Sequence, residues 1–178
     1  MQEDPFREKD NSVSRIGSAM TIAAWLVVLG ISTLYFNRFL DMEHNPNQNV
    51  QTTQTSNTKE ILLQRNRQGH YVSNGKINDT KVRFLLDTGA TDVSIPEEVA
   101  NVVRLQRGPE VEAHTANGTI TVHMTVLDRI QIGDIVLQDV RASINPYMNG
   151  EEILLGMSFL KHLEFTQRDD QLVLRQYN

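Results

Sequence analysis

Asp87 stands where this chain's residue types and spacing best suit hydrolytic chemistry. It lies in Leu85-Leu86-Asp87-Thr88-Gly89-Ala90, an apolar run entering a tight, glycine-bearing turn with a carboxylate at its tip. A second segment, Ile153-Leu154-Leu155-Gly156, has the same form without the acid. Carboxylates hydrolyse a peptide bond in pairs that share one proton across a bound water. One acts as base on the water and the other as acid toward the scissile carbonyl. Two like charges a few ångströms apart cannot both ionise, so such a pair loses its protons in two separated steps.

Each acid of such a pair needs a rigid support. Val82-Arg83-Phe84-Leu85-Leu86 reads as a strand, with Val82, Phe84 and Leu86 on one face. Thr88 carries a hydroxyl able to tie the turn to neighbouring backbone. Gly89 permits close backbone approach, and Ala90 is small enough to pack beneath the loop. Val93-Ser94-Ile95 reads as a second short strand. Pro96-Glu97-Glu98-Val99-Ala100 then opens a helix, with proline early and acids in the first turn. Taken alone, Asp-Thr-Gly is equally well a strand ending in an Asx-type turn.

With its flanks, the sequence resembles the retropepsin-like aspartic proteases, specifically their bacterial, membrane-anchored branch. Leu85 to Ala90 is similar to the family's catalytic loop. Leu154, Leu155 and Gly156 are similar to the hydrophobic-hydrophobic-glycine element that supports it. Met157 to Leu163 resembles the following helix, and Leu163-Glu164-Phe165 and Leu172-Val173-Leu174 the terminal strands. The resemblance runs from about residue 68 to 176. It implies a catalytic set of Asp87, Thr88 and Gly89, and substrate contacts from Ala90 and Asp92. It also implies a flap, a β-hairpin that closes over substrate, best matched by Glu112 to Thr119. Ala116, Asn117 and Gly118 would meet the peptide there; the alternative is an ordinary hairpin. Asn145 to Gly150 either lines specificity pockets or is a plain surface loop. Two positions depart from viral members. Thr91 stands where they carry an acid, and Met157 replaces the arginine of their Gly-Arg. Both touch contacts near the viral dimer interface.

The chain has one Asp-Thr-Gly; Asp79-Thr80 is followed by Lys81. One carboxylate cannot form the dyad, so an active peptidase requires a homodimer with one Asp87 from each copy. The leading function is therefore a membrane-anchored aspartic endopeptidase acting on polypeptides. The alternatives are a non-catalytic, pepsin-like peptide-binding adaptor on a membrane stalk, and a purely structural β module.

Residues 16–36 are uncharged, and as a helix they would span roughly 30 Å, the thickness of the hydrocarbon core. Tyr35 and Phe36 suit an interface. No small-residue cleavage site follows, so an uncleaved signal anchor is expected rather than a signal peptide. Arg7, Lys9 and Arg15 precede the span and only Arg38 closely follows it, which places residues 1–15 in the cytoplasm. The domain is then outside, in the periplasm of a bacterium with two membranes. Residues 37–66 read as a flexible polar linker, because Gln48 to Thr58 is almost all Gln, Asn, Thr and Ser. The alternative is an ordered arm.

Residues 67–178 form the expected protease domain: mainly β, a single-lobe β-barrel with one or two short helices. Asn74-Gly75 marks an expected hairpin turn, and Ile130 to Leu137 reads as strand, turn, strand. This region holds 11 Lys and Arg against 15 Asp and Glu, with no basic stripe, so nucleic acid is not an expected partner. His44, His70, His114, His123 and His162 do not fall at metal-ligand spacings and the chain has no cysteine, so neither metal nor cofactor is expected. Ser94 and Ser158 lack a nucleophile's surroundings.

Overall fold

The computed structural model describes residues 10–115 and 118–177, and the chain divides into two units, Met1–Asp41 and Met42–Asn178. The described residues of the first unit lie in one long helix, α1 (Asp10–His44). From Gly17 to His44 it is long and apolar enough to cross a membrane, with mean hydropathy 1.9 over its apolar 18-residue stretch. Its large apolar side chains, among them Trp25, Leu29 and Leu34, stand in the open. The helix outruns the expected span of 16–36, because Asn37 to His44 continue it without a breaker.

The second unit is mainly β. Its elements are β1 (Thr52–Gln54), β2 (Thr58–Gln64), β3 (Val72–Ile77), β4 (Thr80–Leu86), β5 (Val93–Pro96) and α2 (Glu97–Val103). They continue as β6 (Glu110–Thr115), β7 (Gly118–Ile132), β8 (Ile135–Asn145) and β9 (Glu152–Leu155). The last elements are α3 (Met157–Leu160), β10 (Glu164–Arg168) and β11 (Gln171–Tyr177).

Seven strands run in the order β3-β4-β9-β5-β8-β7-β6, and a further β3–β7 pairing closes the sheet on itself. This is the expected single barrel with short helices. Its interior is apolar: Phe84, Ile95, Leu127, Ile130, Ile144 and Ile153 are each at most 1% exposed. Two parallel pairings bring the loops of the site together. β4 lies beside β9, with Leu85 opposite Leu154 and Leu86 opposite Leu155. β5 lies beside β8, with Val93 opposite Ala142. Strands distant in sequence thus end side by side, and their terminal loops meet.

A second sheet has the order β1-β2-β11-β10. It corrects the expectation of a flexible linker over 37–66. Ile61 and Leu63 alternate along β2, face inward and are 1% and 0% exposed. They sit opposite Leu174 and Leu172 of β11. Upstream, Asn47 is 6% exposed: its Nδ2 donates to Gln64 O (2.9 Å) and Val72 O (2.7 Å), and its Oδ1 accepts from Gln64 N at 2.7 Å. Asn45, fully buried, donates to Asn74 Oδ1 at 2.8 Å. The polar residues here are fasteners, because each buried amide is matched to a backbone or amide partner.

The hairpin expected at Asn74-Gly75 is also displaced. Both residues lie inside β3, and the turn falls at Asn78-Asp79, with φ of 46° and 68°. Positive φ at both central residues is the geometry of a two-residue hairpin turn. Gly75 serves packing instead: a Cβ there would lie 2.3 Å from Gln131 O and 2.5 Å from the Phe84 ring. The second expected turn, between Ile130 and Leu137, is found at Gly133-Asp134.

Candidate active site

The β4–β9 pairing delivers Asp87 to the mouth of the barrel. Asp87 N donates to Leu155 O at 3.2 Å, extending the ladder one residue past the end of β4. On the other side of β4, Leu86 N donates to Tyr71 O at 3.0 Å. The Tyr71 ring beneath is 8% exposed, and burial pushes its phenol above its usual range. The carboxylate closes its own turn: Oδ1 accepts from Gly89 N at 2.8 Å, and Ala90 N donates to Asp87 O at 3.2 Å. Oδ2 has no hydrogen-bond partner among the described residues. Asp87 is half-buried, Ala90 likewise, and Thr88 and Gly89 are exposed. The Thr88 hydroxyl, expected to tie the turn, makes no hydrogen bond among the described residues; the aspartate's own oxygen ties it instead.

Gly156 seats this loop from below. A Cβ on Gly156 would lie 2.2 Å from Asp92 O and 2.6 Å from Ala90 O, so only glycine lets the two backbones meet. Immediately after it, Met157 N donates to Ala90 O (2.8 Å) and Ser158 N to Thr91 O (2.9 Å). The first amides of α3, free of intrahelical partners, thus satisfy the loop's carbonyls. Leu155 is fully buried and Leu154 half-buried, on alternate faces of β9.

Two residues contribute in ways their sequence surroundings do not announce. Ser158, 6% exposed, accepts from Val93 N at 3.0 Å and donates to Arg141 O at 2.7 Å. Its hydroxyl is a bracket between β5 and β8, consistent with its lack of nucleophile surroundings. Arg141 supplies a guanidinium to the acid after the loop: its Nε donates to Asp92 Oδ1 at 2.7 Å. The Asp92 side chain is 20% exposed and that of Arg141 60%. Position 157 carries no charge in this chain, and the cation beside Asp92 comes from β8. The only signal for Ser158 is its place just after Gly156. Arg141 lies 49 positions from Asp92, beyond any local pattern.

The remaining expected residues fall as follows. β6 and β7 form the hairpin, with Thr115 opposite Gly118 and Thr115 Oγ1 donating to Gly118 O at 2.8 Å. Gly118 has φ 117°, a conformation that favours glycine. Ala116 and Asn117 lie outside the described residues. The loop 145–150 folds on Asn145, whose Oδ1 accepts from Tyr147 N at 2.9 Å, and Ser94 Oγ lies 3.9 Å from Met148 Sδ. Among the described residues no group of His, Cys, Asp or Glu is placed to hold a metal ion.

Comparison with known proteins bears on this geometry. Residues 73–162 match the family described as "gag-polyprotein putative aspartyl protease". An uncharacterized protein from the cobV 5' region of Sinorhizobium sp is 32% identical over 167 residues, covering 86% of this chain and 72% of that protein. An uncharacterized protein of Rickettsia prowazekii (strain Madrid E) is 27% identical over 121 residues, covering 66% of this chain and 52% of that protein. Among solved structures, a retropepsin-like aspartic protease from Rickettsia conorii superposes with a TM-score of 0.56 at 26% identity. That match covers 71% of this chain and 98% of the other.

Proposed function

Since the chain belongs to the retropepsin-like aspartic proteases, we infer that it is an aspartic endopeptidase whose site forms between two copies, each donating Asp87. One observation carries this reading. The Asp87 carboxylate is fixed through Oδ1, while Oδ2 has no partner among the described residues and the adjoining Thr88 and Gly89 lie exposed at the barrel mouth. That is half of a symmetric site, and a two-fold axis beside Oδ2 completes it with the same group.

In the dimer, two carboxylates would hold one proton and one water between them. The ionised Asp87 takes a proton as the water attacks the peptide carbonyl, and the protonated Asp87 donates to the carbonyl oxygen. A proton then passes to the departing amine. The fixed loops hold both acids in place before the reaction begins. Ala90, Asp92 and the hairpin around Gly118 are the proposed substrate contacts. The hairpin serves as the flap that excludes water.

The chain is anchored by α1, with residues 1–15 cytoplasmic and the barrel outside the cytoplasm. Arg7, Lys9 and Arg15 support that orientation. The polar segment after the helix is bound to the barrel, so the domain carries its own docked N-terminal arm.

The test uses the full chain in detergent, wild type beside Asp87→Asn, with a diverse peptide mixture between roughly pH 4 and 7, where a proton-sharing pair works. Cleavage by the wild type alone supports the assignment. Equal cleavage by both would remove Asp87 from the chemistry. No cleavage by a folded, dimeric wild type would favour the peptide-binding adaptor.

A further inference from the structure

Arg141 does more than pair with Asp92. Only its Nε is used; the two Nη groups have no partner among the described residues. Arg141 lines a concavity of about 690 Å³ on the outer side of β7 and β8, beside the 104–109 segment that leads into the hairpin. Arg104 and Arg107 also line it, with Met124 and Val126 as apolar wall and Asp128 as the acid in the lining.

The charges differ in how far they are committed. Arg107 is paired with Glu97 at 2.5 Å, and Asp128 accepts from Asn78 Nδ2 at a long 3.4 Å. Arg104 is exposed, and its side chain has no partner among the described residues. It stands at φ 60°, closing α2, with its backbone N–H donating to Asn101 O at 3.2 Å. The hollow thus offers one uncommitted guanidinium and one open guanidinium fork, the latter held in direction by Asp92. The base of the hollow is stiff, because Gly108 N donates to Met124 O at 2.8 Å and Met124 N to Pro109 O at 2.9 Å. A guanidinium fork suits a carboxylate, which can take two parallel N–H bonds. The apolar wall suits the methylenes that carry one.

We propose that this hollow is a subsite for an acidic side chain of a bound polypeptide, with Arg141 and Arg104 receiving the carboxylate. It rests on the reading of the chain as a peptidase only in that the ligand is a polypeptide. Arg141 links it to the active site through Asp92, five residues beyond Asp87. A segment reaching from the cleft along the hairpin base would place a glutamate here and so be selected for it.

The experiment measures binding to full-length Asp87→Asn protein in detergent, so that no cleavage is needed. Two fluorescein-labelled decapeptide libraries are compared, one with a fixed Glu and one with Gln in its place. At low salt the Glu library is expected to bind about three- to tenfold more tightly, the range for two partly exposed ion pairs. The preference should shrink as salt is raised. Arg104→Gln, which breaks no side-chain hydrogen bond or ion pair among the described residues, should reduce it about threefold or less; adding Arg141→Gln should abolish it, with a thermal melt confirming the fold. Inorganic phosphate that competes equally with both libraries, or equal binding of the two libraries, would overturn the proposal. So would a Glu preference that survives the double substitution. Wild-type cleavage of the same libraries separates the two readings. Cleavage without Glu preference sinks the subsite and keeps the peptidase. Arginine-dependent Glu binding without cleavage does the reverse.

Discussion

Gly156→Ala tests whether the Asp87 loop sits on the β9 turn. A methyl group there would stand 2.2 Å from Asp92 O, 2.6 Å from Ala90 O and 2.7 Å from Asp92 C. All three are backbone atoms, so no side chain can swing away. Ordinary contact needs a separation about 1 Å greater, and the loop or α3 must move by that much. The movement breaks the bonds from Met157 N to Ala90 O (2.8 Å) and from Ser158 N to Thr91 O (2.9 Å). Overpacking costs about 1–3 kcal/mol and each lost bond about 1 kcal/mol, so the total is roughly 3–5 kcal/mol. For a domain of this size that lowers Tm by roughly 10–20 °C. Thermal melting of the full chain, followed by near-UV circular dichroism, reads the effect. A variant that melts within about 3 °C of wild type and still cleaves peptides would refute the seat.

Gly89→Ala should behave in the opposite way. Its Cβ would meet only Asp87 Oδ1, at 3.2 Å, so Tm should hardly move while kcat falls as the carboxylate is pushed aside; unchanged kcat would count against the Asp87 turn geometry. Asn47→Ala leaves Gln64 N, Gln64 O and Val72 O without their buried partner, a cost of about 2–4 kcal/mol in urea denaturation; a loss below about 0.5 kcal/mol would mean the arm is not docked. Glu164 is held below its ordinary value of 4.5, first by the Tyr177 hydroxyl and then by Arg175. The stability it adds is therefore complete above 4.5 and disappears as pH falls through the lower folded value. The Tm gap between wild type and Glu164→Gln should narrow as pH falls below 4.5; a gap that widens would reverse the sign.

Much of the site was legible because its parts are local. Strand, acid and glycine at 85–89, and strand and glycine at 153–156, each specify a turn within a few residues. Their meeting follows from the parallel β4–β9 register. What escaped reading is long-range. Asn74-Gly75 carries a turn's residue types, yet Gly75 is needed for the Phe84 ring and Gln131 O, and tertiary packing overrides the local preference. The arm at 45–54 has a linker's composition, but its amides find partners in β2 and β3 that only the folded barrel supplies. Ile61 and Leu63 did alternate like a strand, a signal masked by the polar run before them. The Asp92–Arg141 pair needs β5 and β8 side by side, which no spacing along the chain encodes.

The central claim, that two Asp87 side chains make one site, is tested most directly by mixing. Wild type and Asp87→Asn are co-expressed in equal amounts, purified together, and assayed per total protein. Random pairing makes about one quarter of the dimers wholly wild type, so about one quarter of the activity is expected. About one half of the wild-type activity would mean that a single chain, with a single Asp87, suffices, and would contradict the account.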